Sequence, residues 1–245
     1  MIEEHLLINT GEGEMATFLV RPESDGVLPV ILFLMDAPGK REELHDMARR
    51  IAATGYYVML PNLYYRDVPS FTIHREDPAS AKYMAKLMGN VSNAMVARDA
   101  LALLTHAAAD PSANETLVGT TGYCMSGPFA LWLAAEFPEV VRAAASIHGV
   151  RLATDADDSP HRRTVDIGGE VLLLAAEFDD WVDRPHFDRI VSALEAADVQ
   201  HHAEWIDGVH HGFVFPQRPK YDKPAAERHW ELLHSMFDRT LRSPS

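Results

Sequence analysis

The stretch from Thr116 to Phe129, TLVGTTGYCMSGPF, limits the folds open to this chain more than any other. The β-forming residues Leu117 to Thr121 lead into Gly122-Tyr123-Cys124-Met125-Ser126-Gly127, and an alanine-rich apolar pattern of helical character runs from Phe129 to Phe137. Strand, sharp turn and helix in that order describe a nucleophile elbow, where the central residue occupies a strained turn and its side chain stands clear of the sheet. Cys124 is that centre: Gly122, two residues before it, and Ser126, two after, are small enough for strand and helix to pass without Cβ collisions. With Ser126 as centre the flanks would be Cys124 and Pro128, a poorer fit on both sides. The plain alternative is a buried cysteine that packs as a small hydrophobe.

Around the elbow, apolar strand runs alternate with helical patterns. Ile2 to Ile8 and Met15 to Val20 are strand-like runs separated by Gly11 and Gly13, which predicts an antiparallel hairpin. Val27 to Met35, Tyr56 to Leu60, Val141 to Ile147 and Val171 to Ala176 are short, nearly unbroken apolar runs, the pattern of strands covered on both faces. His202 to Ile206 predicts a last strand. Helices are expected over Lys40 to Ala53, Pro78 to Met88, Val91 to Ala109, Phe187 to Ala197 and Asp222 to Leu241, the last with Trp230, Leu233, Met236 and Phe237 on one face. Asp67 to Asp77 and Arg151 to Ile167 lack an apolar period and are expected as loops. Such alternation predicts an α/β fold with a mainly parallel, doubly wound sheet flanked by helices and the hairpin at its N-terminal edge, ligands sitting beyond the C-terminal strand ends.

The charge balance, 36 acidic against 22 basic residues and a formal −14, argues against nucleic acid or an anionic membrane surface as partner. A single cysteine cannot form an internal disulfide, the first fifteen residues lack a basic-then-apolar signal pattern, and no apolar run is long enough to span a bilayer. The expectation is a cytoplasmic protein without membrane association, in a reducing compartment where a thiol nucleophile survives.

An activated thiol requires a base within reach and a third group to orient that base. After a nucleophile elbow these follow in chain order as acid and then histidine. Asp179 comes just past the run Val171 to Ala176, with Asp180 as its neighbour and rival; His211 lies after the last strand within Val209-His210-His211-Gly212-Phe213, with His210 as its rival. The pairs His201-His202 and His210-His211 have no metal-ligand spacing, so neither metal nor cofactor is expected.

Gly122-Tyr123-Cys124, Glu177-Phe178-Asp179, His211-Gly212-Phe213 and Pro61-Asn62-Leu63-Tyr64 together resemble the dienelactone hydrolase family, over nearly the whole chain from about Met15 to the final helix. The resemblance implies a single domain of α/β-hydrolase fold over residues 1–245, a Cys124-His211-Asp179 triad, and hydrolysis of a small ester or lactone through a thioester. It places Asp36 where the family has an acidic residue that contacts the thiol, the namesake enzyme having glutamate there. The oxyanion would be met by the backbone N–H groups of Met125 and Ala37. Tyr64, Tyr123, His148, Phe213 and Phe215 are candidate pocket walls. The namesake binds its carboxylated substrate with two arginines, at positions that are Phe215 and the segment Ala81-Lys82-Tyr83 here, with Arg218 and Lys82 as possible stand-ins. A less anionic substrate is therefore expected. Two other readings stay open: a thioesterase or acyltransferase with the same triad, and a non-catalytic small-molecule-binding protein. Monomer and homodimer are both compatible with the sequence.

Overall fold

In the computed structural model, which describes residues 1–242, the chain divides into two compact units, Met1–Glu115 and the remainder from Thr116 onward. The first begins with β1 (Ile2–Asn9) and β2 (Glu14–Arg21), paired antiparallel from Ile2↔Arg21 to Asn9↔Glu14. Gly11 and Gly13, both at positive φ, turn the chain between them. β3 (Leu28–Leu34), α1 (Glu42–Ala52) and β4 (Tyr57–Pro61) follow as a β-α-β unit whose strands pair parallel. The order within this unit is β1-β2-β4-β3, with the hairpin on the outside. β4 is buried along its whole length, as its unbroken apolar run predicts. α1 turns Leu44, Met47, Ala48 and Ile51 inward. α2 (Pro78–Gly89) and α3 (Asn93–Ala108) are capped by Asp77 and Ser92, whose side chains accept from the Ala79 and Met95 amides.

The boundary between the units falls within β5 (Ala113–Tyr123). A 3₁₀ turn (Cys124–Ser126) and α4 (Gly127–Glu136) come directly after it. α4 is buried almost all round, which explains an apolar pattern with little polar face. β6 (Val141–Ile147), β7 (Glu170–Phe178), α5 (Arg184–Ala196), β8 (His201–His210) and α6 (Lys223–Leu241) complete the second unit. Its strands run β5-β6-β7-β8, every pair parallel. Trp230, Leu233, Met236 and Phe237 are buried on α6.

The segment 151–167 differs in part from the expected loop, because Pro160–Asp166 winds into 3₁₀ turns. No apolar period announces them. They are held by individual polar contacts: Arg163 pairs with Glu136 and Asp166 and lies over the Trp132 ring, and the Leu152 and Ala153 amides donate to His186 Nε2 at 3.0 and 3.3 Å.

Candidate active site

Three strand ends of the second unit supply the candidate residues. At the end of β5, Cys124 has φ 55°, the left-handed region that a non-glycine residue enters only under strain. The bend is possible because Gly122 lacks a side chain: a Cβ there would stand 2.0 Å from the Ser126 carbonyl oxygen. Gly127, at the start of α4, and Gly149, after β6, are equally crowded, each against the other and against Ser146 Oγ. The Val150 amide donates to the Cys124 carbonyl at 3.1 Å and ties the elbow to the segment after β6. The Cys124 side chain is thereby presented half-buried.

The pairing of β7 with β8 brings the acid and the imidazole together. After an irregularity at Ala176, Phe178 comes opposite His210, so the next residues on the two strands, Asp179 and His211, face one another at the sheet's end. His211 Nδ1 lies 2.7 Å from Asp179 Oδ2, with the carboxylate only 1% exposed and the imidazole 8%. The second carboxylate oxygen, Oδ1, accepts the Trp181 amide at 2.9 Å. Asp180 is exposed, and His210 packs against the Phe178 ring at 4.9 Å. Of each adjacent pair, Asp179 and His211 are the members that meet.

Burial works against the charged form of His211. Hydrogen bonding to Asp179 and the side chain of Cys124 outweigh it, with their negative charge acting in the same direction, and the imidazole pKa is pushed up to about 9. Nε2 itself is buried without a hydrogen bond of regular geometry, although Cys124 is within electrostatic reach of the ring.

Two more rings bracket the His211 imidazole. Trp181 meets it edge-on at 4.7 Å and is 64% exposed. His148 meets it at 4.6 Å and is 1% exposed, with both ring nitrogens lacking a partner. Burial, with the nearby His211 and Arg218, pushes the His148 pKa well below the usual imidazole value, so this ring is neutral. Tyr123, Phe213 and Phe215 are fully buried, and the Tyr123 hydroxyl lies 3.1 Å from His229 Nε2. The Arg218 guanidinium lies over the Phe215 ring at 4.6 Å. Trp181 is the residue that the sequence analysis passes over; the available signal is an aromatic side chain two positions after the acid.

The first unit holds the remaining candidates. Asp36 is fully buried, and both its carboxylate oxygens are bound by Arg41, which also donates to Glu43 Oε2 and the Gly39 carbonyl. Ala37 follows in a turn closed by the Gly39 amide on the Asp36 carbonyl at 2.9 Å, and its own carbonyl accepts the buried Tyr64 hydroxyl at 2.8 Å. Lys82 is exposed on α2. Asp36 is therefore ion-paired with Arg41, five positions on in the same unit.

Known proteins resemble the chain along most of its length. A carboxymethylenebutenolidase of Rhodococcus opacus is 25% identical over 217 residues, covering 86% of this chain and 81% of that protein. A Synechocystis sp. protein, provisionally given the same name, is 27% identical and covers 94% of this chain and 93% of its own length. Among solved structures, one from Klebsiella pneumoniae, provisionally titled a dienelactone hydrolase, superposes with a TM-score of 0.87 at 24% identity over 97% of this chain and 98% of that one. The fold is thus the α/β-hydrolase fold, with mostly parallel strands flanked by helices. The dienelactone hydrolase family matches residues 15–241, and the chain belongs to that family of hydrolases.

Proposed function

We propose that Cys124, His211 and Asp179 act as nucleophile, base and orienting acid in the hydrolysis of small carboxylic esters or lactones. The observation that carries this reading is the state of His211, hydrogen-bonded at 2.7 Å to a buried carboxylate, within electrostatic reach of Cys124, and raised to a pKa of about 9. His211 holds the proton taken from the thiol; in the first step sulfur bonds to the ester carbonyl carbon, and the carbon–oxygen bond to the alcohol breaks as the imidazolium gives that proton to the departing oxygen. In the second step water attacks the thioester, the carbon–sulfur bond breaks, and the acid is released with the thiol restored. Asp179 fixes the ring tautomer and steadies the imidazolium between the steps.

The Met125 amide, in the first turn after Cys124, is the proposed donor to the oxyanion. Ala37 as second donor and Asp36 as a modulator of the thiol rest on the family resemblance. A single catalytic domain, a cytoplasmic setting and the absence of a cofactor are proposed on the sequence features that predict them. Tyr64, Tyr123, His148, Phe213 and Phe215 are proposed as the surroundings of the acyl group, with neutral His148 as their polar member.

Phe215 stands where the resemblance calls for a carboxylate-binding arginine, which favours an uncharged substrate. A second reading, a lactone bearing a carboxylate, is favoured by the Arg218 guanidinium over the Phe215 ring. Turnover of γ-butyrolactone against its 3-carboxylate decides between them. The hydrolase reading itself is tested by thiol reactivity and trapping. Iodoacetamide is expected to modify Cys124 much faster than a free cysteine peptide at neutral pH, and acid quenching of an ester reaction should leave an acyl adduct on Cys124 detectable by mass spectrometry. Labelling at the peptide's rate, together with no turnover of a broad panel of esters and lactones, sinks the reading.

A further inference from the structure

The turn that carries Asp179 also turns two large aromatic side chains outward, Phe178 at 50% and Trp181 at 64% exposure. Trp181 is anchored to the candidate acid by its backbone and touches the imidazole with its ring. Its amide is bonded to Asp179 Oδ1 at 2.9 Å, and its ring lies against the His211 imidazole at 4.7 Å with an interplanar angle of 64°. His148 occupies the interior side of the same imidazole, so Trp181 marks its solvent side. An uncovered indole in contact with the imidazole is a surface for a ligand to cover.

The chemistry of the proposed reaction says which part of the ligand that is. The proton on His211 goes to the oxygen that leaves when the carbon–oxygen bond breaks, so the alcohol departs past this imidazole. The ring on the imidazole's outer side then lies beside the departing group. Glu177 and Asp180 are exposed on the same turn and disfavour an anionic alcohol there.

We propose that Trp181 determines specificity for the leaving group, as an aromatic platform that takes a flat, uncharged aromatic alcohol. The inference rests on the hydrolase reading of the Cys124, His211 and Asp179 site and adds the substrate class of its leaving side.

The test compares kcat/KM for ethyl, benzyl and 2-naphthylmethyl butyrate in the wild type, W181F and W181A. The wild type is expected to prefer benzyl over ethyl by about tenfold or more beyond the ratio of their alkaline hydrolysis rates, a preference of the size that apolar subsites give. The naphthylmethyl ester should be preferred at least as strongly. W181A should bring the corrected ratio to within about twofold of unity, and W181F should keep part of the preference. Ratios are read because Trp181 touches His211 and its removal can lower all three rates together. An unchanged ratio in folded W181A overturns the proposal and leaves the hydrolase reading standing. A second measurement needs no turnover: benzyl alcohol should shift tryptophan emission to shorter wavelength in the wild type but not in W181F, which retains Trp132, Trp205 and Trp230. Equal spectra with and without the alcohol overturn the proposal even if no ester is cleaved.

Discussion

In the proposed site, Gly122 and Asp179 are positioning residues. A methyl group added at Gly122 would stand 2.0 Å from the Ser126 carbonyl oxygen, and backbone atoms cannot step aside as a flexible side-chain tip can. G122A is therefore expected to lose about 1–3 kcal/mol of stability, the scale of overpacking, measured by denaturant unfolding, and to slow iodoacetamide labelling of Cys124 as the turn opens. D179N removes the carboxylate that raises His211. Its imidazole should titrate well below the wild-type value of about 9 in histidine NMR spectra, and kcat should fall by about 10⁴, as loss of the orienting acid does in comparable triads. The same shift couples folding to pH. A histidine raised from 6.5 to about 9 contributes stability that is fully present below pH 6.5 and lost as pH rises through about 9. Denaturant midpoints measured across that window should decline in the wild type and decline less in D179N. Chain order singles out Asp179 and His211 as candidates, but their separation of 2.7 Å comes from the register that puts Phe178 opposite His210, which no local pattern encodes.

Polar clusters lock the secondary elements together where apolar periodicity is silent. Asp99 on α3, 1% exposed, accepts the Tyr65 hydroxyl at 2.8 Å and two Arg66 nitrogens at 2.7 and 3.0 Å. Tyr65 in turn reaches Thr10, and Arg66 reaches Glu12, so the β1–β2 turn is fastened to α3 through the segment after β4. D99A leaves Arg66 without its buried partner and should cost about 3–5 kcal/mol in denaturant unfolding. The excursion over residues 151–167 has a different anchor. His186 Nε2 accepts two of its amides, which requires the neutral ring, and burial pushes the His186 pKa down. Its contribution is present above pH 6.5 and diminishes as pH falls below that value, because the unfolded chain takes up the proton first. Hydrogen exchange at Leu152 and Ala153, corrected for the intrinsic rate, should lose protection between pH 7.5 and pH 5, and should already be unprotected in H186A. The strands were legible because Val, Leu, Ile and Ala runs bury both faces. The 3₁₀ turns of Pro160–Asp166 were not, since single ion pairs and caps hold them and leave no period to count.

Across the molecule, the order of strand, elbow, acid and histidine was sufficient to predict a mainly parallel α/β fold and to choose the three candidate residues. What the chain order leaves out is exposure. Trp181 follows Asp179 by two positions and looks in the sequence like one more aromatic residue, yet it stands 64% exposed against the imidazole. Asp36 shows the opposite case, with both its oxygens bound by an arginine five positions on. The left-handed backbone of Cys124 sets a limit on how durable this enzyme can be. Glycine adopts that geometry without a steric penalty, whereas any other residue held there costs on the order of 1–3 kcal/mol. A library selected only for surviving heat, with no demand for turnover, should drift towards C124G, yielding variants that melt no earlier than the parent and cleave nothing. The sulfur occupies a bend that the backbone would yield more readily to glycine.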